Sequence, residues 1–380
     1  MKMNDAFLAS MREAMELLRT AGPLEATEAI QRALRTSSPW GSKEGSPAPA
    51  QVVEALLPAD GSLFRNDVPL AKTPFASSLP GQARKAPSPS DVEARGHFSL
   101  KTFANHAGQR AYKLYVPSSY RNEPVPLIVM LHGCTQDADD FAAGTRMNAL
   151  AELHGFLVLY PIQPTEANPS RCWNWFRPGD QQSGRGEPSL IAGITREVMA
   201  SHNVDADRVY IAGLSAGGAM AAVMIHRYPA LYAAAGIHSG LPQGCAHDLP
   251  SALAAMKGGK LKGASRVDAQ ASMAQPKRPV IVFHGDTDHT VHPSNGSRMI
   301  APFEVGEALK RTERSSDGGG HAYTRQFVTA ANGVDAEYWL IHGAPHAWAG
   351  GSSRGSFTDA KGPDASAEMV RFFLAHPQHR

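Results

Sequence analysis

The apolar residues of this chain fall into short continuous runs of strand length, with stretches of helical spacing between them. Such runs are typical of strands that are buried on both faces of a sheet. We predict a β-hairpin within 98–117, buried strands at 126–131, 156–160, 210–212, 233–237, 279–284 and 336–342, and helices over about 190–202 and 364–375. Because strands alternate with helices, the pattern predicts an α/β fold with a mostly parallel central sheet and helices on both faces.

The part of the chain before residue 96 has a different character. Apolar residues at helical spacing on either side of Gly22-Pro23 predict a helical hairpin over residues 1–36. Residues 37–95 are rich in Pro, Ser and Gly and predict a flexible linker, which leaves 96–380 as the main domain. A two-helix unit cannot bury its apolar stripe alone, so we expect it to mediate self-association or docking to another surface.

Charge and composition narrow the classes of function. The chain has 37 basic and 35 acidic residues and a net charge of +2, which gives no sign of a nucleic-acid-binding surface. No apolar run approaches the roughly 20 residues that span a bilayer, and charged residues interrupt the N-terminal region where a signal peptide needs an apolar core. We therefore expect a cytoplasmic protein. Its three cysteines are too few for a disulfide framework.

The strand at 210–212 runs into Gly213-Leu-Ser215-Ala-Gly217, which has the G-x-S-x-G spacing of a nucleophile elbow. The two glycines remove side chains that would collide with the neighbouring strand and helix, while the serine takes a strained backbone conformation. Ala216 begins the following helix, so its amide can stabilise an oxyanion beside the Ser215 hydroxyl. The motif predicts a catalytic serine; the alternative is a glycine-rich turn with an idle one.

An elbow serine needs a base and a carboxylate, which follow it along the chain in the order Ser, Asp or Glu, His. Asp288 follows the strand 279–284 and His346 follows the strand 336–342. We predict that His346 takes the proton of Ser215 during attack and returns it to the leaving alkoxide. Asp288 would hold the imidazole tautomer and stabilise the imidazolium.

Two alternatives compete with this assignment. Asp286 lies two residues before Asp288 and could be the orienting carboxylate, whereas His342 ends a strand and is interpreted as a core or supporting histidine. His284, His289 and His292, together with the two aspartates, could instead suggest zinc, but no second cluster of ligands with compact spacing accompanies them. We therefore predict no metal and no cofactor.

Two further loops are candidates for the site. The Cys134 amide, in the loop after the strand 126–131, occupies the place of the second oxyanion donor. Trp173 and Trp175, in a polar loop that also holds Cys172, belong either to a satellite cluster under the loop or to an aromatic wall for an apolar substrate. A Cys134–Cys172 disulfide would hold this loop beside the oxyanion hole, but the absence of an export signal argues against assuming it.

Six motifs in order resemble the polyhydroxybutyrate (PHB) depolymerase family of α/β-hydrolase esterases. They are Leu131-His-Gly-Cys-Thr-Gln136, Cys172-Trp-Asn-Trp-Phe176, Gly213-Leu-Ser-Ala-Gly-Gly218, Ser239-Gly-Leu-Pro-Gln-Gly-Cys245, His284-Gly-x-x-Asp288-x-x-Val291 and His346-Ala-Trp348. The resemblance spans about residues 97–378 and implies an α/β-hydrolase fold. It also implies a Ser215–Asp288–His346 triad, an oxyanion hole at the Cys134 and Ala216 amides, and tryptophans near Cys172 in the substrate cleft.

The resemblance implies a serine esterase that acts on hydroxyalkanoate oligomers, polyester or short-chain esters. It makes 96–380 the catalytic domain, and for such an enzyme we expect that the surface to which the helical hairpin at 1–36 docks is a polymer granule. The main alternative is an esterase that removes feruloyl or acetyl groups from plant polysaccharide. A non-catalytic hydrolase-fold protein that uses the helical hairpin for assembly would not need the complete, correctly ordered set of catalytic residues.

Overall fold

The computed structural model describes residues 94–258, 276–315 and 320–378. The helical hairpin predicted at 1–36 and nearly all of the linker predicted at 37–95 lie outside these residues. The strands are β1 His97–Asn105, β2 Gly108–Val116, β3 Val125–Leu131, β4 Leu157–Pro161, β5 Val204–Leu214, β6 Ala234–His238, β7 Val280–Gly285, β8 Leu309–Ser315, β9 Tyr323–Thr329, β10 Asp335–Ile341, β11 Trp348–Ala349 and β12 Thr358–Asp359. The α-helices are α1 Ala138–Thr145, α2 Met147–His154, α3 Gly186–Ser201, α4 Ala216–Arg227, α5 Leu249–Met256, α6 Ser294–Ile300 and α7 Ala365–Ala375, and short 3₁₀ helices lie at Pro178–Gln181 and Ala301–Glu304.

Ten strands form one sheet in the order β1-β2-β4-β3-β5-β6-β7-β10-β9-β8. The six strands from β4 to β10 in this order are parallel to one another, and an antiparallel hairpin extends the sheet at each end. The strands predicted from apolar runs are all present in the parallel part or in the β1–β2 hairpin. In such a sheet, ligands bind beyond the carboxyl ends of the parallel strands.

Side chains of the central strands alternate between two apolar layers. On β3, Leu127, Val129 and Leu131 pack in the layer that includes α3 and α4, whereas Ile128 and Met130 pack in the layer that includes α1, α2 and α7. All seven residues of β3 are buried, as expected for a strand covered on both faces. Within the described ranges, no helix is both long and apolar enough to cross a membrane.

The β8–β9 hairpin was not among the strands predicted from the sequence. β8 has the sequence Leu-Lys-Arg-Thr-Glu-Arg-Ser and is exposed or half-buried throughout, because it is the edge strand of the sheet. A strand without a buried face carries no apolar alternation, and it is defined here by its pairing with β9. The end of β8 and the start of β9 lie at the same edge of the sheet as the end of β10.

Candidate active site

Ser215 lies between the last residue of β5 and the first residue of α4, with φ +57° and ψ −118°. The turn is possible only because its glycines lack side chains. A Cβ on Gly213 would lie 2.4 Å from the backbone of Gly217, and a Cβ on Gly217 would lie 2.0 Å from the Leu131 carbonyl oxygen. The serine is therefore held in a strained conformation at the carboxyl end of a central strand, as in a nucleophile elbow.

Asp288 and His346 form a close pair at the ends of the adjacent parallel strands β7 and β10. His346 Nδ1 lies 2.7 Å from Asp288 Oδ2, and the other carboxylate oxygen accepts hydrogen bonds from the amides of Thr290 at 2.9 Å and Val291 at 2.8 Å. Because an ionised carboxylate can only accept, Nδ1 carries the proton and donates it to Asp288. The neutral imidazole then presents Nε2 as an acceptor, which is the tautomer that a general base requires.

The Asp288 carboxylate is completely buried. Burial alone would raise its pKa, but hydrogen bonds from His284 and His346 outweigh that effect, and the pKa of Asp288 lies well below its ordinary value. His284 Nε2 lies 3.3 Å from the same carboxylate oxygen that His346 contacts. The carboxylate therefore keeps its negative charge beside His346 at any pH near neutrality.

Asp286 contacts a different histidine. Its Oδ2 lies 2.9 Å from His342 Nδ1, and its Oδ1 accepts the Gly343 amide at 2.7 Å. Both side chains of this second pair are more than a third exposed, in contrast to the buried Asp288. Of the two candidate carboxylates, the structure places Asp288 beside His346 and Asp286 beside His342.

His238, at the end of β6, connects the elbow to the segment that follows His346. Its carbonyl accepts the Ser215 amide at 2.9 Å, and its ring Nε2 accepts the Ala349 amide at 3.0 Å. Burial lowers the pKa of His238 to about 3, so its ring is neutral and can accept. Among the described residues, no hydrogen bond joins the Ser215 hydroxyl to His346; such bonds are often long in enzymes without substrate.

The backbone amides of Cys134, in the loop after β3, and Ala216, the first residue of α4, have no acceptor in the described part of the chain, as is also the case for Gly217 and Gly218 in the first turn of that helix. The amides on either side of Cys134 are occupied, since Gly133 donates to a glutamine side chain at 3.0 Å and Thr135 donates to a carbonyl at 2.7 Å. The loop that contains Cys134 touches the start of α4, where Gly217 leaves room for it. The assignment of the Cys134 and Ala216 amides as donors to an oxyanion therefore stays a prediction, with both amides lacking a protein acceptor among the described residues.

A disulfide joins Cys134 to Cys172. The sequence alone had left this bond open, with the predicted cytoplasmic location as the argument against it. The bond attaches the loop that carries the candidate oxyanion donor to the loop that carries the two tryptophans. Cys245 is the free cysteine, and burial raises the pKa of its thiol to about 12, so it is a poor nucleophile.

Trp173 and Trp175 are both buried, with 0% and 7% of their surface exposed, and they pack in the apolar layer beside α3 and α4. The Trp173 ring lies 5.7 Å from the His132 ring. In this position the two indoles support the loop rather than form an exposed wall. Their contact with substrate stays a prediction.

Glu187, in the first turn of α3, is a supporting residue that the sequence analysis did not identify. Its buried carboxylate accepts from Gln163 Nε2 at 2.5 Å and from the amide and side chain of Asn174 at 2.7 and 2.6 Å. Gln163 Nε2 also donates to the Cys172 carbonyl at 3.0 Å. This network holds the disulfide-bonded loop in place, and its only signal in the sequence is an acidic residue in the first turn of a helix.

The histidines of the alternative zinc reading have other partners. His284 Nε2 lies 2.8 Å from the Val291 carbonyl, and His292 Nδ1 lies 2.9 Å from the Ser294 hydroxyl. Within the described ranges, no group of three or more His, Cys, Asp or Glu side chains is arranged to hold a metal ion.

The fold is that of the α/β-hydrolases. Among solved structures, an acetyl xylan esterase from Aspergillus awamori matches with a TM-score of 0.53 and 21% identity over 65% of this chain and 94% of that one. An S-formylglutathione hydrolase from Agrobacterium tumefaciens matches with a TM-score of 0.50 and 13% identity over 75% of this chain and 97% of that one. At these identities the likeness concerns the fold alone.

The family model described as esterase PHB depolymerase matches residues 110–310, and the chain belongs to this family. Poly(3-hydroxyalkanoate) depolymerase C of Paucimonas lemoignei is 34% identical over 253 residues, which cover 65% of this chain and 60% of that protein. Feruloyl esterase B of Neurospora crassa is 38% identical over 132 residues, which cover 34% of this chain and 44% of that protein. The chain therefore spans about half the length of these relatives.

Proposed function

We propose that this chain hydrolyses carboxylic esters through an acyl-enzyme on Ser215. The observation that carries the proposal is the buried Asp288–His346 pair, which lies at the same edge of the sheet as the strained elbow serine. An esterase needs a hydroxyl nucleophile, a neutral imidazole to take its proton and a carboxylate to fix the tautomer of that imidazole. The elbow and the pair supply these three groups.

In the first half-reaction, Ser215 Oγ attacks the ester carbonyl while His346 Nε2 takes the hydroxyl proton. The carbonyl oxygen becomes an oxyanion that the Cys134 and Ala216 amides stabilise. The intermediate collapses, the ester C–O bond breaks, and His346 returns the proton to the leaving alkoxide. Water, activated by the same imidazole, then hydrolyses the acyl-enzyme and releases the acid. These steps invoke no cofactor.

For the substrate we propose a hydroxyalkanoate polyester, its oligomers or short-chain esters. The family and the match to a poly(3-hydroxyalkanoate) depolymerase support this choice. A feruloyl or acetylxylan ester is the second candidate, supported by the 38% identity to a feruloyl esterase. Rates on 3-hydroxybutyrate oligomers, polymer film, methyl ferulate and acetylated xylan, compared in one panel, decide between the two.

The test of the mechanism is turnover of p-nitrophenyl butyrate by Ser215→Ala, His346→Ala and the double variant. When catalytic residues act together, the loss of activity in the double variant is smaller than the product of the two single losses. We therefore expect each single change to lower kcat by several orders of magnitude and the double variant to be little worse than either. Additive losses, or activity retained in Ser215→Ala, would refute the proposal. Circular dichroism and thermal midpoints of each variant show whether the fold is intact.

The division into a hairpin at 1–36, a linker at 37–95 and a catalytic domain at 96–380 is also a proposal. If this division holds, removal of residues 1–95 should leave the turnover of a soluble short ester nearly unchanged and should lower self-association or polymer binding. A cytoplasmic location likewise stays a prediction, and the Cys134–Cys172 disulfide weighs against it, because cytosolic thiols are normally kept reduced. Thiol alkylation of the protein in its own cells, read by intact mass before and after reduction, tests the location.

A further inference from the structure

His342 of the second Asp–His pair lines a separate cavity. The cavity has a volume of about 250 Å³ and is lined by Arg314, Ser315, Ala322, Tyr323, Thr324 and His342. These residues lie where the end of β8, the start of β9 and the end of β10 meet. The cavity is therefore at the same edge of the sheet as the candidate active site, beyond the strand that precedes His346.

The polar groups of this cavity suit an anion. His342 is held on both sides, with Nδ1 2.9 Å from Asp286 Oδ2 and Nε2 2.9 Å from the Thr324 hydroxyl. When the His342 ring is neutral, its Nε2 accepts a hydrogen bond from the Thr324 hydroxyl. When the ring is protonated, Nε2–H donates to the Thr324 oxygen instead, and the Thr324 hydroxyl proton is then available for a ligand. Arg314 is exposed and has no carboxylate partner among the described residues. A guanidinium group can donate two parallel hydrogen bonds to the two oxygens of a carboxylate.

Two ionisable residues close to His342, His321 and Asp286, have partners within the described residues. His321, in the loop before β9, lies 2.9 Å from Asp359 Oδ2. Asp286 is the acidic group nearest to His342, and its second oxygen is occupied by the Gly343 amide. Among the described residues, Arg314 is thus a cavity-lining charge without an ion-pair partner, and that charge is positive.

The cavity lies on the side of the site where the alcohol part of the ester, the leaving group, is expected. His346 protonates the leaving alkoxide in the proposed mechanism, so the alcohol part of an ester lies on the side of β10. The ends of β10 and β9 are three and four strands from β5, which at about 4.8 Å per strand is roughly 15–20 Å from Ser215. A 3-hydroxybutyrate unit has four chain atoms and spans about 4.5 Å, scaled from the 3.3–3.6 Å of a three-atom peptide unit. Three or four such units cover the distance.

We propose that this cavity is a subsite for the free carboxylate at the end of a hydroxyalkanoate oligomer. Arg314 would bind the carboxylate, Thr324 would donate to it, and His342 with Asp286 would orient Thr324. The oligomer would then be cleaved three or four units from its carboxyl end. One water is consumed for each ester bond broken, and the released product is a short hydroxy acid. The subsite rests on the proposed esterase function.

The test compares 3-hydroxybutyrate octamers that have either a free carboxylate or a methyl-esterified end. We expect kcat/KM to be about tenfold higher for the free acid, as for the gain of one charged hydrogen-bonded contact, and the first products from the carboxyl end to be trimer and tetramer. Arg314→Gln should bring the ratio of the two rates to about one, and Thr324→Val should lower it in the same direction. Arg311→Gln is the matched control, because it removes the same charge from the same strand while its guanidinium lies over the Phe327 ring.

A ratio near one in the unaltered protein, or a ratio that Arg311→Gln lowers as much as Arg314→Gln, would overturn the subsite. Failure of the esterase proposal looks different: neither octamer would be hydrolysed, or hydrolysis would persist in Ser215→Ala. A tenfold preference for the free acid that is accompanied by products of one or two units would also overturn the subsite. The carboxylate would then be bound closer to Ser215 than the cavity is.

Discussion

Replacing Asp288 by asparagine changes one atom of a buried side chain, and the structure determines which way the new amide must face. The Asp288 Oδ1 atom accepts two backbone amides, from Thr290 at 2.9 Å and Val291 at 2.8 Å, whereas Oδ2 lies 2.7 Å from His346 Nδ1. An asparagine keeps its carbonyl oxygen on the two amides, because the opposite orientation would place an NH₂ group against two N–H donors. Its NH₂ group therefore faces His346 Nδ1.

The imidazole must then respond by changing tautomer. A donor opposite Nδ1 moves the ring proton to Nε2, and an Nε2 that carries a proton cannot accept the proton of Ser215. We expect kcat to fall by about 10³ to 10⁴, which adds about 4–5.5 kcal/mol to the activation barrier. The geometry of the loop should change little, because the two backbone hydrogen bonds are kept.

The assay is the steady-state hydrolysis of p-nitrophenyl butyrate by Asp288→Asn and, as the matched control, by Asp286→Asn. Asp286 makes a similar contact with His342, but that pair is partly exposed and does not contact His346. We expect Asp286→Asn to cost less than tenfold on this short ester. If Asp286→Asn is the more damaging change, or if Asp288→Asn keeps more than a tenth of the activity, the tautomer argument is refuted.

Three further predictions follow from contacts around the site. Gly217→Ala places a Cβ 2.0 Å from the Leu131 carbonyl oxygen and should cost about 3 kcal/mol of stability or more, whereas Gly179→Ala, whose Cβ meets nothing within 4 Å, should cost little in urea denaturation; equal costs would refute the packing argument. Cys134→Ala with Cys172→Ala opens a crosslink with a sequence separation of 38 and should lower the free energy of unfolding by about 4 kcal/mol, while the backbone donor of residue 134 remains; an unchanged urea midpoint would contradict this. Burial lowers the pKa of His238 from 6.5 to about 3, so between these pH values the unfolded chain binds a proton that the folded chain does not. The free energy of unfolding should therefore decrease by about 1.4 kcal/mol per pH unit from this residue as pH falls from about 6 to 4, and His238→Gln should remove that part of the slope; the same slope in both proteins would show that His238 is not the cause.

The parallel part of the sheet could be predicted from the sequence because each of its strands contains a run of mostly apolar residues. The elbow could be predicted because its turn requires glycine at Gly213 and Gly217, and this requirement is visible in the residues. The β8–β9 hairpin could not, since β8 is stabilised by pairing at the sheet edge and buries no apolar face of its own. Strand pairing depends on residues far apart in the chain.

The choice between the two candidate carboxylates shows a second limit. Asp286 and Asp288 both follow β7, and their positions in the sequence favour Asp288 without excluding Asp286. The loop after β7 turns so that Asp288 Oδ1 accepts the Thr290 and Val291 amides, which points its other oxygen at His346. The loop with the two tryptophans is a similar case, because its sequence is compatible with either a substrate-binding wall or packing in the protein core. The Glu187 network that holds this loop involves residues from separate elements, so the sequence does not reveal it.

The central claim is that Ser215 forms a covalent intermediate with His346 as its base. The most direct measurement is peptide mapping by mass spectrometry after reaction with a fluorophosphonate ester, in the unaltered protein and in Ser215→Ala and His346→Ala. The account predicts one stoichiometric adduct, located on Ser215, which parallels the loss of esterase activity, is absent in Ser215→Ala and forms far more slowly in His346→Ala. An adduct on another residue, or full esterase activity in protein that carries the adduct on Ser215, would contradict it.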